Sequence, residues 1–361
     1  MSALGPATGP APWRMPSEGD RHERTLVAWP CRRELWGNLL GEARAETAEL
    51  ARAIGRFEPV SLLARPDDVD EATAAVSPGI AVEVVPFPLD DSWLRDTGPI
   101  WVVGPGRRLA LDFRFNGWGG RFAPFDQDDG ISQHWCELTG EDRLAVDLVL
   151  EGGSIAVDGD GTLVTTEQCL LHPNRNPRRT RTEIEDLLCR LLGATRVVWL
   201  PFGLDDRDTD GHVDLVAANC GPGRWLFQGC EGDDPDVDRL SISRRCLTGT
   251  LDAAGRPIEV VDIPVLPRVE VEGVALPAPY VNLYLCNGGA IVPVTGHPAD
   301  ADVLGLLAEV FADRAVVPVP ARALAFGGGG PHCVTQQVPA PPPRRAAPDP
   351  STRPAEQGSD S

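Results

Sequence analysis

The 361-residue sequence contains no lysine; its 33 basic residues are all arginine. That excludes a Schiff-base mechanism and a Walker phosphate loop, both of which need the lysine amine or ammonium. The sequence also lacks any C-x-x-C pair. Its nine cysteines, at 31, 136, 169, 189, 220, 230, 246, 286 and 333, are not spaced for a zinc ribbon or a thioredoxin-type redox site. No run of about 18 uninterrupted apolar residues occurs, and the start, MSALGPATGPAPWRMPSEGD, does not join a basic stretch to an apolar one. The expectation is a soluble protein of the reducing cytoplasm with no membrane partner.

Positive charge is scarce. Against 33 basic residues stand 53 acidic ones, a formal net charge of -20. Such a field disfavours nucleic acid and anionic lipid and admits a cationic small molecule. A surface acid excess also serves solubility, so charge sets only the sign of the ligand.

Residues 1–14 and 341–361 have almost no large apolar side chain to bury and are expected to be disordered, leaving 15–340 as a single globular domain. Within it, helix-period segments (ARAETAELARAIGRF, RRTRTEIEDLLCRLLG, PDVDRLSISRRCLTG, ADADVLGLLAEVFAD) alternate with β-rich runs (VSLLAR, LAVDLVL, RVVWLP, IEVVDIP, AVVPVP). The alternation predicts an α/β fold. The recurring unit reads helix, strand, loop, strand, and Asp96, Glu151, His212, Asn282 and Cys333 follow successive units at intervals of roughly 50 to 70 residues. Five similar units converging on one point would produce this spacing, as would an open doubly wound sheet with ligands at its strand ends. Periodicity does not choose between them.

Four segments carry chemistry. In GGGGPHCVTQQVP, residues 327–339, four glycines let the backbone pass close to a ligand and deliver Cys333, beside His332, as an exposed nucleophile; the other eight cysteines read as core or surface residues. In DDRDTDGHVDLVAAN, residues 205–219, His212 is flanked by Asp210 and Asp214, and strand alternation along VDLV would place His212 and Asp214 on one face. Nearby carboxylates can keep such a histidine protonated so that it acts as acid and then base. The Asp-rich stretch does not match an EF-hand loop, and no metal is assigned. In PLDDSWLRDTGPIWVV, residues 88–103, Asp90, Asp91 and Asp96 surround Trp93 and Arg95, the acid-plus-indole pairing that suits a flat cation; a salt-bridged surface turn would read the same way. In LEGGSIAVDGDGTLVTTEQCLLHPNRNP, residues 150–177, Glu151 could orient His212, and DGDG reads as a hairpin turn. FNGWGG, residues 115–120, offers Asn116 and Trp118 to a pocket wall or forms a loop.

Together these segments resemble the agmatine deiminase branch of the guanidine-modifying superfamily, from about residue 15 to 340. The resemblance lies in MPSEGDRHERTLVAWP, DSWLRDTGP, FNGWGG, EGGS with TLVTTEQCLL and HPNRNP, TDGHVD, YVNLYLCNGG and HCVTQQ, in that order. It implies a five-bladed α/β propeller of ββαβ units. It further implies Cys333 as nucleophile, His212 as acid and base, Glu151 as its partner, Asp96 and Asp214 as a guanidinium clamp, and Asp208 at the distal end of the substrate; Trp93, Trp118 and Asp90 are expected as further substrate contacts from their own segments. The implied reaction is deimination of agmatine to N-carbamoylputrescine and ammonia through a covalent thiouronium, without metal or organic cofactor. The loop GGGGPHC stands where GGGNIHC is usual, Leu215 where Asn is common, and Asp208 where agmatine-specific members commonly carry Glu facing the distal amine. Arginine, peptidyl-arginine or another guanidine therefore stay open as substrates. Rival readings are a Cys-His-Asp amide hydrolase, which would need an oxyanion hole, and a non-catalytic polyamine-binding relative. The sequence is compatible with a homo-oligomer.

Overall fold

The computed structural model describes residues 13–341, apart from 77, 78, 105, 207 and 272. The expected disorder of 1–12 and 342–361 lies outside the described residues. Trp13 and Arg14, placed by the sequence in a disordered extension, instead belong to the fold: Trp13 is buried, and Arg14 forms a β-bridge with Val103.

Five sheets share one plan. Ile100–Gly104, Arg107–Arg114 and Arg143–Val149 form one; Ile155–Val157, Thr162–Thr166 and Arg196–Leu200 the next. Ala217–Gly221, Arg224–Gln228 and Glu259–Ile263 form another, followed by Tyr284–Cys286, Gly289–Val294 and Ala315–Pro320. In each, the first two strands pair antiparallel and the third joins the second in parallel after a helical crossover. The remaining sheet draws on both ends of the chain: Thr335–Pro339 pairs antiparallel with His22–Ala28, which is followed in parallel by Val60–Ala64 and Val82–Pro86. A separate hairpin joins Arg268–Val271 to Val274–Pro277. The predicted α/β class holds; the sheets are separate, and none closes on itself among the described residues.

Local sequence accounts for these elements. The helix Arg181–Leu192 begins at a Thr180–Glu183 capping box, ends at Gly193 in the left-handed conformation, and buries Ile184, Leu188, Leu191 and Leu192 on one face. Asp158 closes the DGDG hairpin, accepting from Asp160 N and Thr162 N at 2.8 Å. Pro318 and Pro320 are tolerated because Ala315–Pro320 is an edge strand. Among the described residues, no helix is long and apolar enough to cross a membrane.

Asp96, Glu151, His212, Asn282 and Cys333, the polar residues that the sequence spaces at regular intervals, each lie just ahead of the first strand of one of the five sheets. The segment leading to Cys333 is tied down by buried Glu46, from the helix Leu40–Ile54. Its carboxylate accepts from Arg322 N, Ala323 N and Leu324 N at 2.9–3.0 Å, capping the short helix Arg322–Phe326. Glu46→Ala would strand three N–H groups, and urea unfolding is expected to show a loss of about 2–3 kcal/mol. Exposed Glu49→Ala in the same helix should leave the midpoint in place.

Candidate active site

The glycine-rich loop after Arg322–Phe326 delivers Cys333 by close approach. A Cβ at Gly329 would lie 2.7 Å from the Trp93 ring and 2.8 Å from Cys333 Cβ, so only glycine fits there. The thiol is not exposed, contrary to the expectation from the sequence: Cys333 is 5% accessible. Its sulfur lies 3.3 and 3.4 Å from the Asn282 amide atoms and 3.5 Å from Asp214 Oδ2. Burial, then Asp214 and Asp96, hold the thiol well above its ordinary pKa.

Asp96 is held by neutral donors. Its Oδ1 accepts from Gly153 N at 3.0 Å and its Oδ2 from Trp118 Nε1 at 2.9 Å. Trp118 reaches that position from the left-handed region, φ 51°, a conformation costly for a bulky residue and supported here by Asn116, whose side chain accepts from Gly119 N. A Cβ at Gly153 would come within 2.6 Å of His212 Nδ1 and 2.9 Å of Asp96 Oδ1, so the backbone there is packed between acid and imidazole.

His212 Nδ1 stands 3.8 Å from Asp96 Oδ1 and 4.0 Å from Asp214 Oδ1. Burial works against a charge on its ring, yet Asp96, Cys169 and Glu151 raise its pKa well above the usual histidine value. Burial raises Asp96 too; the His212 charge pulls it back, Asp214 and Glu151 push it up, and it comes to about 6. Asp214 is likewise buried, but the hydrogen bond from His332 holds its pKa below the ordinary carboxylate value. His212 and Asp214 do not come together by strand alternation as the sequence suggested. Val213–Leu215 is a single 3₁₀ turn, and the strand starts only at Ala217.

Glu151 is fully buried. Its Oε1 accepts from Arg175 Nε at 2.6 Å, and Arg175 also bonds Asp210 Oδ2 and Thr209 O. Donor atoms of Glu151, Cys169 and His212 lie within 4.8 Å of one another, a set able to hold a metal. The Arg175 charge on Glu151 opposes a further cation. Arg175, Cys169 and Glu18 sit inside sequence motifs noted above, in HPNRNP, TTEQCLL and MPSEGD, but nothing local marks them as neighbours of the site.

Trp93, Asp96, Trp118, Asp208 and Cys333 line one pocket of about 380 Å³, together with Arg32, Asp91 and Phe122 among others. Asp214 reaches the thiol from the wall behind. Asp90 is corrected by the structure: it does not line this pocket, and its Oδ2 accepts from Gln127 N and Asp128 N. Alternation in the DD pair sends Asp91 inward instead, where Oδ2 accepts from Trp93 Nε1 at 3.0 Å and Oδ1 from Trp36 Nε1 at 3.0 Å.

Residues 14–339 match the Porphyromonas-type peptidyl-arginine deiminase family. The chain belongs to that family. The agmatine deiminase of Pseudomonas aeruginosa (strain LESB58) is 39% identical over 354 residues, covering 91% of this chain and 96% of its own. Among solved structures, the Enterococcus faecalis agmatine deiminase superposes with TM-score 0.88 at 31% identity, covering 95% of this chain and all of that one (100%). A cysteine-to-serine variant of the C. jejuni agmatine deiminase with substrate bound gives TM-score 0.84 at 27% identity, covering 90% and 96%. The deiminase family relationship thus spans the whole set of segments that build the pocket.

With its thiol buried among acids, Cys333 should be alkylated slowly by a neutral haloacetamide at pH 7, with a rate still climbing past the ordinary thiol pKa of about 8.5. Peptide mass spectrometry across pH 6–10 checks this. A rate that levels off near that pKa would contradict the environment described.

Proposed function

We propose that this chain hydrolyses agmatine to N-carbamoylputrescine and ammonia through a thiouronium on Cys333. The observation that carries the reading is a buried thiol within 3.5 Å of a carboxylate, in a pocket that also holds Asp96 and two indoles. A guanidinium is planar, so paired carboxylates fix its plane and leave its central carbon open to the sulfur.

In the proposed sequence, the guanidinium docks against Asp96 and Asp214, and its charge lets Cys333 ionise. The sulfur bonds the carbon, His212 gives its proton to one nitrogen, and the C–N bond breaks to release ammonia. Water then attacks the thiouronium carbon while His212 takes one of its protons, and the C–S bond breaks as the remaining hydroxyl proton passes to the sulfur, freeing the neutral ureido product and the thiol. Glu151 supports the charged form of His212, while Trp93 and Trp118 flank the cation and Asp208 faces its distal end. Asp214 Oδ1 is buried with no hydrogen-bond partner among the described residues, an acceptor suited to a donor-rich ligand.

An amide hydrolase is disfavoured because, beside the Asn282 amide, the sulfur has the Asp214 carboxylate at 3.5 Å and Asp96 in the same pocket, and these acids would repel a developing oxyanion. A merely binding protein is disfavoured because His212 lies within 4.0 Å of both Asp96 and Asp214, and the Cys333 sulfur lies 3.5 Å from Asp214. The five repeated ββαβ sheets, with chain ends paired in one of them, further support a five-bladed α/β propeller formed by a single domain over 15–340.

A colorimetric ureido assay on a guanidine panel, with Cys333→Ser as blank, tests the function. Agmatine should be turned over best, and failure on every guanidine would refute the reading. Asp96→Asn should lower kcat/KM for agmatine at least about a hundredfold, the scale of losing one partner of a buried charge pair. Because Asp96 is ionised only above about pH 6, kcat/KM should fall as pH drops through that value.

A further inference from the structure

His332, next to the nucleophile, is gripped on both ring nitrogens. Nδ1 lies 2.8 Å from Asp214 Oδ2, and Nε2 lies 2.8 Å from Glu18 Oε2. Asp214 Oδ2 is the same oxygen that stands 3.5 Å from the Cys333 sulfur. Glu18 is itself fixed: its Oε1 accepts from Leu285 N at 2.7 Å and its Oε2 from Arg95 at 3.2 Å. The charged groups facing the ring are Glu18 from the N-terminal segment, Asp214 from the 3₁₀ turn, and Arg95 from the segment that carries Asp96. Arg95 Nε also donates to the His332 carbonyl at 3.3 Å. His212 and Asp96 lie beyond Asp214.

Glu18, His332, Arg95 and Asp214 line a second cavity, of about 530 Å³, that shares no lining residue with the pocket of Cys333 and Asp96. The contact between Asp214 and the thiol is therefore a partition, with the substrate pocket on one side and the Glu18–His332 pair on the other.

We propose that Glu18 and His332 are positioning residues that act through Asp214: Glu18 keeps the imidazole between the two carboxylates charged, and that charge offsets Asp214 on the oxygen facing the thiol. This rests on the reading of Cys333 as nucleophile. Burial and Arg95 oppose a charged ring, but the two carboxylates outweigh them, and the His332 pKa is raised. Glu18 is correspondingly drawn down to about 2. With the imidazolium in place, Asp214 Oδ2 spends its charge on the ring, and the sulfur can ionise against a weakened anion. Oδ1 is left for the substrate. With a neutral ring, Asp214 would oppose the thiolate in full.

The sign follows from the raised histidine pKa. The offset is complete at low pH and is lost as pH rises through the His332 value, and removing Glu18 brings that loss to lower pH. In Glu18→Gln, which keeps an acceptor for Leu285 N, the thiolate should form less readily at pH 8. Alkylation of Cys333 by a neutral haloacetamide should slow about tenfold, equivalent to one pKa unit. Under the same change kcat for agmatine should fall while KM stays within about twofold, since the clamp oxygen Oδ1 is untouched. His332→Asn removes the same charge from the other end, leaves an N–H for Asp214, and should give the same slowing.

Alkylation–pH profiles of Glu18→Gln and His332→Asn that coincide with that of the unchanged protein would overturn the proposal, as would slowing in neither folded variant. A merely structural role would lower the thermal midpoint without moving these profiles. Alkylation needs no turnover, so the outcomes separate: shifted profiles with no ammonia from any guanidine would sink the deiminase reading alone, and turnover with unshifted profiles would sink this proposal alone.

Discussion

The site is governed by the cost of burying like charges together. Asp96, Glu151 and Asp214 are all less than a tenth exposed, and three carboxylates in a poorly hydrated space would take up protons unless something opposes it. Each is answered differently. Glu151 has the Arg175 guanidinium, Asp214 has the His332 ring, and Asp96, among the described residues, has a backbone N–H and an indole, with His212 at 3.8 Å. Asp96 accordingly comes to about 6 while Asp214 falls below its ordinary value. Two chemically equal acids near one thiol are thus made unequal by their surroundings, the usual route to distinct roles at one pH.

Such an arrangement needs a frame that does not relax, because carboxylates free to move would separate or find water. The five sheets supply it. Each contributes one short segment just ahead of its first strand, where the backbone is already fixed by ladder hydrogen bonds on one side. The sheet built from both chain ends has a particular consequence. Pairing Thr335–Pro339 with His22–Ala28 holds Glu18 and Cys333, at opposite ends of the domain, against the same wall. Arg95 joins them, its NH1 donating to Gln337 Oε1 at 2.8 Å and its backbone N to Cys333 O at 3.1 Å.

Much of this was legible in the sequence, for definite reasons. Helix and strand periods were strong: the run RVVWLP became Arg196–Leu200, and RRTRTEIEDLLCRLLG became the capped helix Arg181–Leu192. Cys333, His212, Asp96 and Glu151 stood out because unusual residue types sat in glycine- or acid-rich turns. Asp90 misled because composition names a pair but not which member points inward; only the local backbone at 90–92 decides that. Arg175, Glu18 and Cys169 were invisible as partners, since their roles arise from contacts such as Arg175 with Glu151, 24 residues apart, and Glu18 with His332 across nearly the whole chain. Trp13 looked like part of an unstructured leader because its neighbours are small and polar, yet its indole fills an apolar cluster with Ile100 and Leu111.

Charge conservation, more than shape, explains why a cation suits this pocket. Ionising Cys333 in the empty site adds one negative charge to a space already crowded with them, which is why the thiol resists. A guanidinium brings one positive charge to the same place, so thiolate and ligand enter as a neutral pair and the acids around them regain their balance. A neutral amide brings nothing to offset the sulfur, and its attack would generate an oxyanion beside Asp96 and Asp214, adding repulsion at the moment of bond formation. The carboxylates that make a free thiolate costly therefore also make the reactive one conditional on the charge of what is bound. In the proposed reaction, specificity for cations and restraint of a nucleophilic thiol between turnovers are two results of the same buried negative charge.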